Sequence, residues 1–585
     1  MAGMECLRAI GLEKKATALG YSASEYSTYT RLCNTLAGEE IYRSHVFGND
    51  PHRHVCIPGA ELLQLLTKVQ GDYDDASPSK TMCLSQTELE PLLLEYASDK
   101  GVPARWQTRL VTFAQDKPND TVLSVVEDLS TGREYVIRSK HMVAADGAKS
   151  QIIRDLKVPL VKGPGNGFVI CMWIEADLSH LVEQTPSLLN YLCLPGKPQP
   201  EYGPVGIAHF IKPYNEWVIS LFPSPTYTKM EATEDQVMSR IRELVGDDSV
   251  EMKVKGMSIW DFDEVYAEYF TDGNIHGVGN SVHRHPPFGG LGTSTCLEDS
   301  FNLGWKLAHV LQGKADRSLL DTYNQERQPA GSYVVKRTNE NGRLNFNLYG
   351  MLGYFDNEGP EYRMRIADLL KEDSEDGAAM RDHFRMAMND LADERHCVGA
   401  MMNQWYESSA VYLDDETRKP VWPSSEKDRA TKLYTSTYPG WRVPHAWLGV
   451  HQPTSGPRLP LLSTRDIVGN GNFTILTGIG GKSVWGKAAE EISQLLGITI
   501  AVISIGWGQD YEDTFFRWYE TRGVEEKGAV LVRPDHTVAW RAVSPPGDAS
   551  ATQSKLETVL RSILGRALPK RKDSKQESDE VEGLA

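Results

Sequence analysis

The 585-residue sequence holds no C-x-x-C pair, no long apolar run and no excess of basic charge. Its eight cysteines (Cys6, Cys33, Cys56, Cys83, Cys171, Cys193, Cys296, Cys397) are scattered, and none follows Cys397. That pattern excludes a disulfide framework and a zinc site built on paired cysteines, and it leaves the last third without dithiol chemistry. A membrane helix needs a run of about 18 apolar residues, and none occurs. The start, MAGMECLRAIGLEKK, has an early acid and no apolar core of signal-peptide length, so a cytoplasmic protein is expected. Net charge is −17 with no compensating basic stripe, which argues against a nucleic-acid partner. The chain has 40% hydrophobic and 24% charged residues, the balance of an ordinary globular protein. Its length suits three or four domains of about 150 residues.

Residues 274–311 carry the strongest signal: NIHGVGNSVHRHPPFGGLGTSTCLEDSFNLGWKLAHVL. An apolar segment, Ile275 to Gly279, ends at Asn280. A loop dense in Gly and Pro follows, from His283 to Gly292. A helix then opens at Thr293 to Thr295. Thr295 and Glu298 form a T-x-x-E capping box, and Phe301, Trp305, Ala308 and Leu311 recur at helical spacing. Strand, glycine-rich loop and helix N-terminus form a geometry that holds an electron-rich or anionic group, because backbone approaches closely and the first N–H groups are unpaired.

These residues resemble the second flavin-binding segment of the FAD-dependent aromatic hydroxylases, the phenol hydroxylase-like monooxygenases. That family's pattern is G-D-A-x-H-x-x-P-P-x-G-G-x-G-x-N, continuing to D-x-x-N-L-x-W-K-L. Gly279, His283, Pro286, Pro287, Gly289, Gly290, Gly292, Asp299, Asn302, Leu303, Trp305, Lys306 and Leu307 match it. Asn280 stands where the family has Asp, Ser294 where it has Asn, and Cys296 where Gly is common. Further matches keep family order. Ser85 and Glu88 give a second capping box on an apparent helix over 82–97, and Gln86 matches a glutamine on the flavin side. Asp146-Gly147-Ala148-Lys149-Ser150, with Arg154, resembles D-G-A-x-S-x-x-R. DTYNQER (321–327), MNQWYESSAVYL (402–413) and RVPHAWL (442–448) resemble later family segments.

The resemblance implies an α/β architecture: a Rossmann-like FAD-binding domain, an antiparallel substrate sheet and a C-terminal thioredoxin-like domain. The expected boundaries are 1–160 and 269–345 for the flavin domain, 161–268 for the sheet, 346–438 for a helical connection with homodimer surface, 439–566 for the terminal domain, and 567–585 for a disordered tail. It also implies the reaction: NAD(P)H reduces FAD, and one atom of dioxygen passes to a phenolic or polyketide-like aromatic ring, with a place in secondary metabolism. Cofactor contacts then fall on Gln86, Asp146, Gly147, Gly279, Asn280, Pro287, Gly290, Leu291, Gly292, Thr293 and Ser294. Tyr269 is the catalytic candidate, at the position of a phenol-orienting tyrosine. Tyr26, Tyr29, Tyr42, His45, His52, Arg53 and His54 are cleft candidates. No metal site is expected.

A G-x-G-x-x-G loop, the family's first flavin segment, does not occur. GPGNG (163–167) reads as a turn, and GIGGKS (478–483) lacks the glycine a P-loop would need at Leu476. Met4 and Glu5 match the end of the turn that follows the family's first β-α-β unit. Two readings of the start stand: a start assigned too far downstream, or a short form that binds FAD weakly or not at all. The alternative function is a flavin-poor pseudoenzyme that binds an aromatic ligand.

Overall fold

The computed structural model describes residues 1–22, 29–46, 73, 75–165, 167–184, 186–355, 358–391, 394, 396–421, 425–450 and 459–567. Tyr26, His52, Arg53, His54 and the tail from 568 lie outside them.

The chain opens with helix α1 (Ala2–Ala9), closed at Gly11, whose φ of 80° suits a residue without Cβ. Strands β1 (Tyr29–Cys33) and β2 (Glu40–His45) follow, then helix α2 (Gln86–Asp99). Ser85 is the N-cap of α2, but its hydroxyl pairs with Thr87 Oγ1 (2.8 Å) rather than a backbone N–H, so the expected capping box does not form. Short strand β3 (Met142–Ala144) leads to the Asp146-Gly147 turn.

The apolar alternation predicts strands over 168–174, 188–194, 206–211 and 217–222, and β4 (Phe168–Glu175), β5 (Ser187–Cys193), β6 (Val205–Lys212) and β7 (Glu216–Phe222) fall within about two residues of them, while β8 (Lys253–Asp261) has no counterpart in that reading. They build a seven-stranded sheet in the order β8-β4-β7-β6-β5-β1-β2. All its pairings are antiparallel except β5 with β1. Two of its strands, β1 and β2, come from the segment before residue 161. Period-2 patterning divides its faces. Ile170, Met172, Ala208, Phe210, Ile219 and Leu221 pack under the helix Glu234–Val245. Val169, Tyr191, Val205, Ile207 and Phe222 pack against Phe288 and the helices beyond residue 340. Each fully buried Leu, Ile or Phe on these faces contributes roughly 1.5–3 kcal/mol.

Strand β9 (Ile275–Gly277) lies parallel to β3 and delivers the chain to the glycine-rich loop. Helix α3 (Gly292–Leu311) starts there, and helix α4 (Asp321–Met351) runs 31 residues past it, with Pro329 inside. The helices Pro360–Leu369 and Glu375–Asp390 pack beneath the sheet.

The last unit has β10 (Phe473–Thr477), α5 (Gly481–Leu496), β11 (Ile500–Ser504), β12 (Ala529–Val532), β13 (Val538–Ala542) and α6 (Ala549–Ile563). Its sheet order is β11-β10-β12-β13, with β10–β11 parallel and the other pairs antiparallel. Its core takes in Trp305 of α3, so this unit packs directly on that helix. Among the described residues no helix is long and apolar enough to cross a membrane, and no cluster of ligating side chains could hold a metal.

Candidate active site

Helix α3 begins three residues before its expected cap. Leu291 is the N-cap and makes no side-chain cap bond. Thr295 Oγ1 donates to the Leu291 carbonyl (2.9 Å), and Glu298 accepts instead from Gln404 (2.7 Å) and Arg442 (2.5 Å). The T-x-x-E box is therefore corrected to two tertiary contacts. The expected apolar stripe is corrected too. α3 buries Thr295, Glu298, Asp299, Asn302 and Lys306 beside Leu303 and Trp305, while Leu311 is exposed.

The loop before α3 is shaped by glycines with positive φ, Gly289 (80°) and Gly290 (64°). Gly290 N donates to the Pro287 carbonyl (3.0 Å), closing a turn. A Cβ on Gly290 would meet nothing, because the residue faces open space. A Cβ on Gly292 would stand 3.1 Å from His285, so glycine lets that ring sit against the first turn. His285 Nδ1 lies 3.0 Å from the Pro286 carbonyl and its Nε2 has no partner. Burial pushes its pKa down to about 4, so the imidazole is neutral.

Asp299, one turn into α3, ties the parts together. It accepts from Gly279 N (3.0 Å), from His283 Nε2 (2.8 Å) and from Arg327 Nε (2.8 Å). Burial opposes its charge, but Arg327 and His283 hold the carboxyl below its usual range. Strand end, loop and α4 are thereby fixed to one carboxylate.

The first turn of α3 opens into a cavity of about 280 Å³. Gly290, Thr293, Ser294 and Leu297 form one wall, and Met1, Met4 and Leu7 of α1 form another. Across from them stand Leu188 of β5 and His209, Phe210 and Ile211 of β6. Met82, Leu84 and Leu89 close the side. The N–H groups of a helix's first turn have no intrahelical partner, and here they meet a largely apolar hollow.

The expected site residues divide. Gly290, Thr293 and Ser294 line the cavity, and Leu291 and Gly292 lie between them in the chain. Gly279 and Pro287 hold the loop. Asn280 is exposed beside Cys296 Sγ (3.9 Å). Asp146 accepts from Ile152 N (3.2 Å) and from the Oγ of Ser150 (2.6 Å), the N-cap of a short helix, and Gly147 has φ 77°. Gln86 is exposed and donates to Glu90 of its own helix (2.5 Å). Tyr269 does not line the cavity. It is half-buried and packs against the apolar cluster of Ala144, Ala267, Phe270 and Ile275. Tyr29 packs on His45 and beneath Arg43, and Tyr42 on Phe384. His209 went unselected in the sequence, although its odd place in the alternation VGIAHFIK marks it as facing the loop side of the sheet.

Residues 2–338 match the FAD binding domain family, and residues 436–567 match the aromatic-ring hydroxylase C-terminal family. The chain belongs to the FAD-dependent aromatic-ring hydroxylases. This hydroxylase is 36% identical to 2,4-dichlorophenol 6-monooxygenase of Cupriavidus pinatubonensis, over 96% of its own length and 88% of the relative's. It is 33% identical to phenol 2-monooxygenase of a Pseudomonas species, over 96% and 84%. The crystal structure of the flavin-dependent monooxygenase PieE with FAD and substrate superposes with a TM-score of 0.86 at 33% identity, covering 97% of this chain and 91% of that one. The family cofactor is FAD, with NAD(P)H as electron donor. The residues present fit its ring system. The loop leaves open space at Gly290, α3 offers unpaired N–H groups, and the unpartnered His285 nitrogen is buried behind them.

Proposed function

We propose that this hydroxylase adds oxygen to a phenolic or polyketide-like aromatic ring, using NAD(P)H and dioxygen, with FAD held at residues 279–294. The observation that carries this reading is the opening of the α3 N-terminus into an apolar cavity closed by the antiparallel sheet. FAD, when bound, supplies reduction by NAD(P)H and activation of dioxygen. The chain's own residues do the rest. The α3 N–H groups at Gly292, Thr293 and Ser294 would stabilise negative charge on a bound flavin. Gly290 and Pro287 would leave room for it beside the loop. Asn280 would offer the cofactor a hydrogen bond without a carboxylate's charge, and Gly279 is held in place by Asp299. The apolar walls from α1 and the sheet exclude water from the reacting face.

Support comes from two relatives whose names specify phenols. The test is direct. The purified chain with FAD is expected to show the flavin visible bands, to bleach with NAD(P)H, and to consume oxygen when 2,4-dichlorophenol is added. A folded protein that neither takes up FAD nor is thermally stabilised by it would sink the reading.

A further inference from the structure

We infer that His209 receives the hydroxyl of the aromatic substrate and makes the cavity selective for phenols. This rests on the reading above, since it names the group that recognises that substrate class.

The position is set by the pleat. Along β6, Val205, Ile207, His209 and Ile211 share the face toward Phe288 and the flavin loop, while Ala208 and Phe210 turn to the opposite core. His209 and Ile211 thus look across the cavity at Thr293 and Ser294. Among the described residues no group hydrogen-bonds the His209 ring. Other buried histidines spend at least one nitrogen: His283 on Asp299 (2.8 Å), His276 on His141 (3.1 Å), His309 on the Trp305 carbonyl (2.9 Å) and His445 on Ser463 (2.8 Å). A half-buried imidazole on an apolar sheet face, with both nitrogens unspent, is the arrangement expected of a ligand group.

The rest of the cavity offers little competition. Tyr21, also on its wall, donates its hydroxyl to the Phe210 carbonyl (2.9 Å), and Ser85 is paired with Thr87 (2.8 Å). Thr293 and Ser294 stand on the cofactor side. Met4, Leu7, Met82, Leu84 and Ile211 give a ring apolar walls and nothing to hydrogen-bond. Burial lowers the His209 pKa to about 4, so the ring is neutral and presents one bare nitrogen as acceptor. A phenol O–H donating to that nitrogen fixes the ring's orientation and leaves the oxygen more electron-releasing toward the carbons ortho and para to it. A ring without that hydroxyl leaves the imidazole unsatisfied.

The test compares 2,4-dichlorophenol with its methyl ether, 2,4-dichloroanisole, by calorimetric titration of the FAD-loaded protein, using wild type, His209→Gln and His209→Val. Visible absorbance reports FAD content in each. Wild type is expected to bind the phenol about tenfold or more tightly than the ether. His209→Val should bind the two within about twofold, with FAD retained, and His209→Gln, which keeps an acceptor, should restore part of the preference. A wild type with no preference overturns the assignment with no variant needed. So does a valine variant that keeps the full preference while wild type still hydroxylates the phenol, which spares the proposed function. A wild type that holds FAD but binds neither ligand overturns both.

Discussion

The two sides of α3 are opposite in character. Its first turn offers unpaired N–H groups to a hollow lined by Met, Leu and Ile, facing an unpartnered imidazole. Its later turns bury more charge than apolar surface, and that charge is paired. Glu326 accepts from Lys306 (2.7 Å), Arg533 (2.6 and 2.9 Å), Asn302 (2.7 Å) and Ser408 (2.6 Å). Arg442 joins Glu5 of α1 (2.7 Å) to Glu298 (2.5 Å), and Arg465 also reaches Glu5. Arg327 spans Asp299, Gln404 and Tyr406. These contacts seam the C-terminal unit to the flavin-side helices. Buried charge by itself does not mark chemistry; buried polar capacity left unspent beside a cavity does.

The seam predicts the largest effects. Glu326→Gln takes the carboxylate partner from Lys306 and leaves Arg533 with Asp535 alone, and the cost is expected to be about 3–5 kcal/mol in urea unfolding. Wild-type stability in this variant would show that the seam is not held by that carboxylate.

Acid should open the seam next. Burial works against the charge of Glu5, but Arg465 and Arg442 hold its pKa at about 2 against an ordinary 4.5. A depressed carboxyl pKa gives stability that is complete above the unfolded value and lost as pH falls through the folded one. The loss is expected between about pH 4.5 and 2 and amounts to roughly 3 kcal/mol. Unfolding measured across that range should flatten in Glu5→Gln.

The cavity side predicts smaller stability changes and larger ligand changes. Gly290→Ala places a Cβ at φ 64° and into the cavity. It should cost roughly 1–2 kcal/mol of stability. FAD titration should weaken about tenfold, equivalent to roughly 1.4 kcal/mol. Unchanged FAD affinity would remove Gly290 from the ligand side. Asp146→Ala is expected to cost about 1 kcal/mol through its lost bonds to Ser150 and Ile152 N, read from the urea midpoint. A loss of FAD beyond that would carry Asp146 across to the ligand side.

Much of the fold was legible. Four of the seven strands of the sheet (β4 to β7), the Gly-Pro loop and the strand–helix alternation after residue 470 follow from period-2 and period-3.6 patterning within short windows, while β1, β2 and β8 did not stand out in it. The misreadings share one cause. Thr295 with Glu298 has the spacing of a cap, yet Gln404 and Arg442 lie far along the chain and take the carboxylate. Phe301 to Leu311 has the spacing of a core stripe, yet docking of the terminal unit buries Glu298, Asn302 and Lys306 instead. Tyr269 is half-buried against the apolar cluster beneath β3 and does not line the cavity.

The sequence by itself determined the family and the cofactor loop. Glycines at positive φ, paired prolines and a helix start are local requirements, and local requirements are written in consecutive residues. Only the tertiary structure decided which polar groups are spent and which are free. His209 and Lys306 are each one polar residue in an apolar neighbourhood of sequence; one ends in a closed ion pair and the other against open space. That difference depends on partners distant in the chain, which no window around either residue contains.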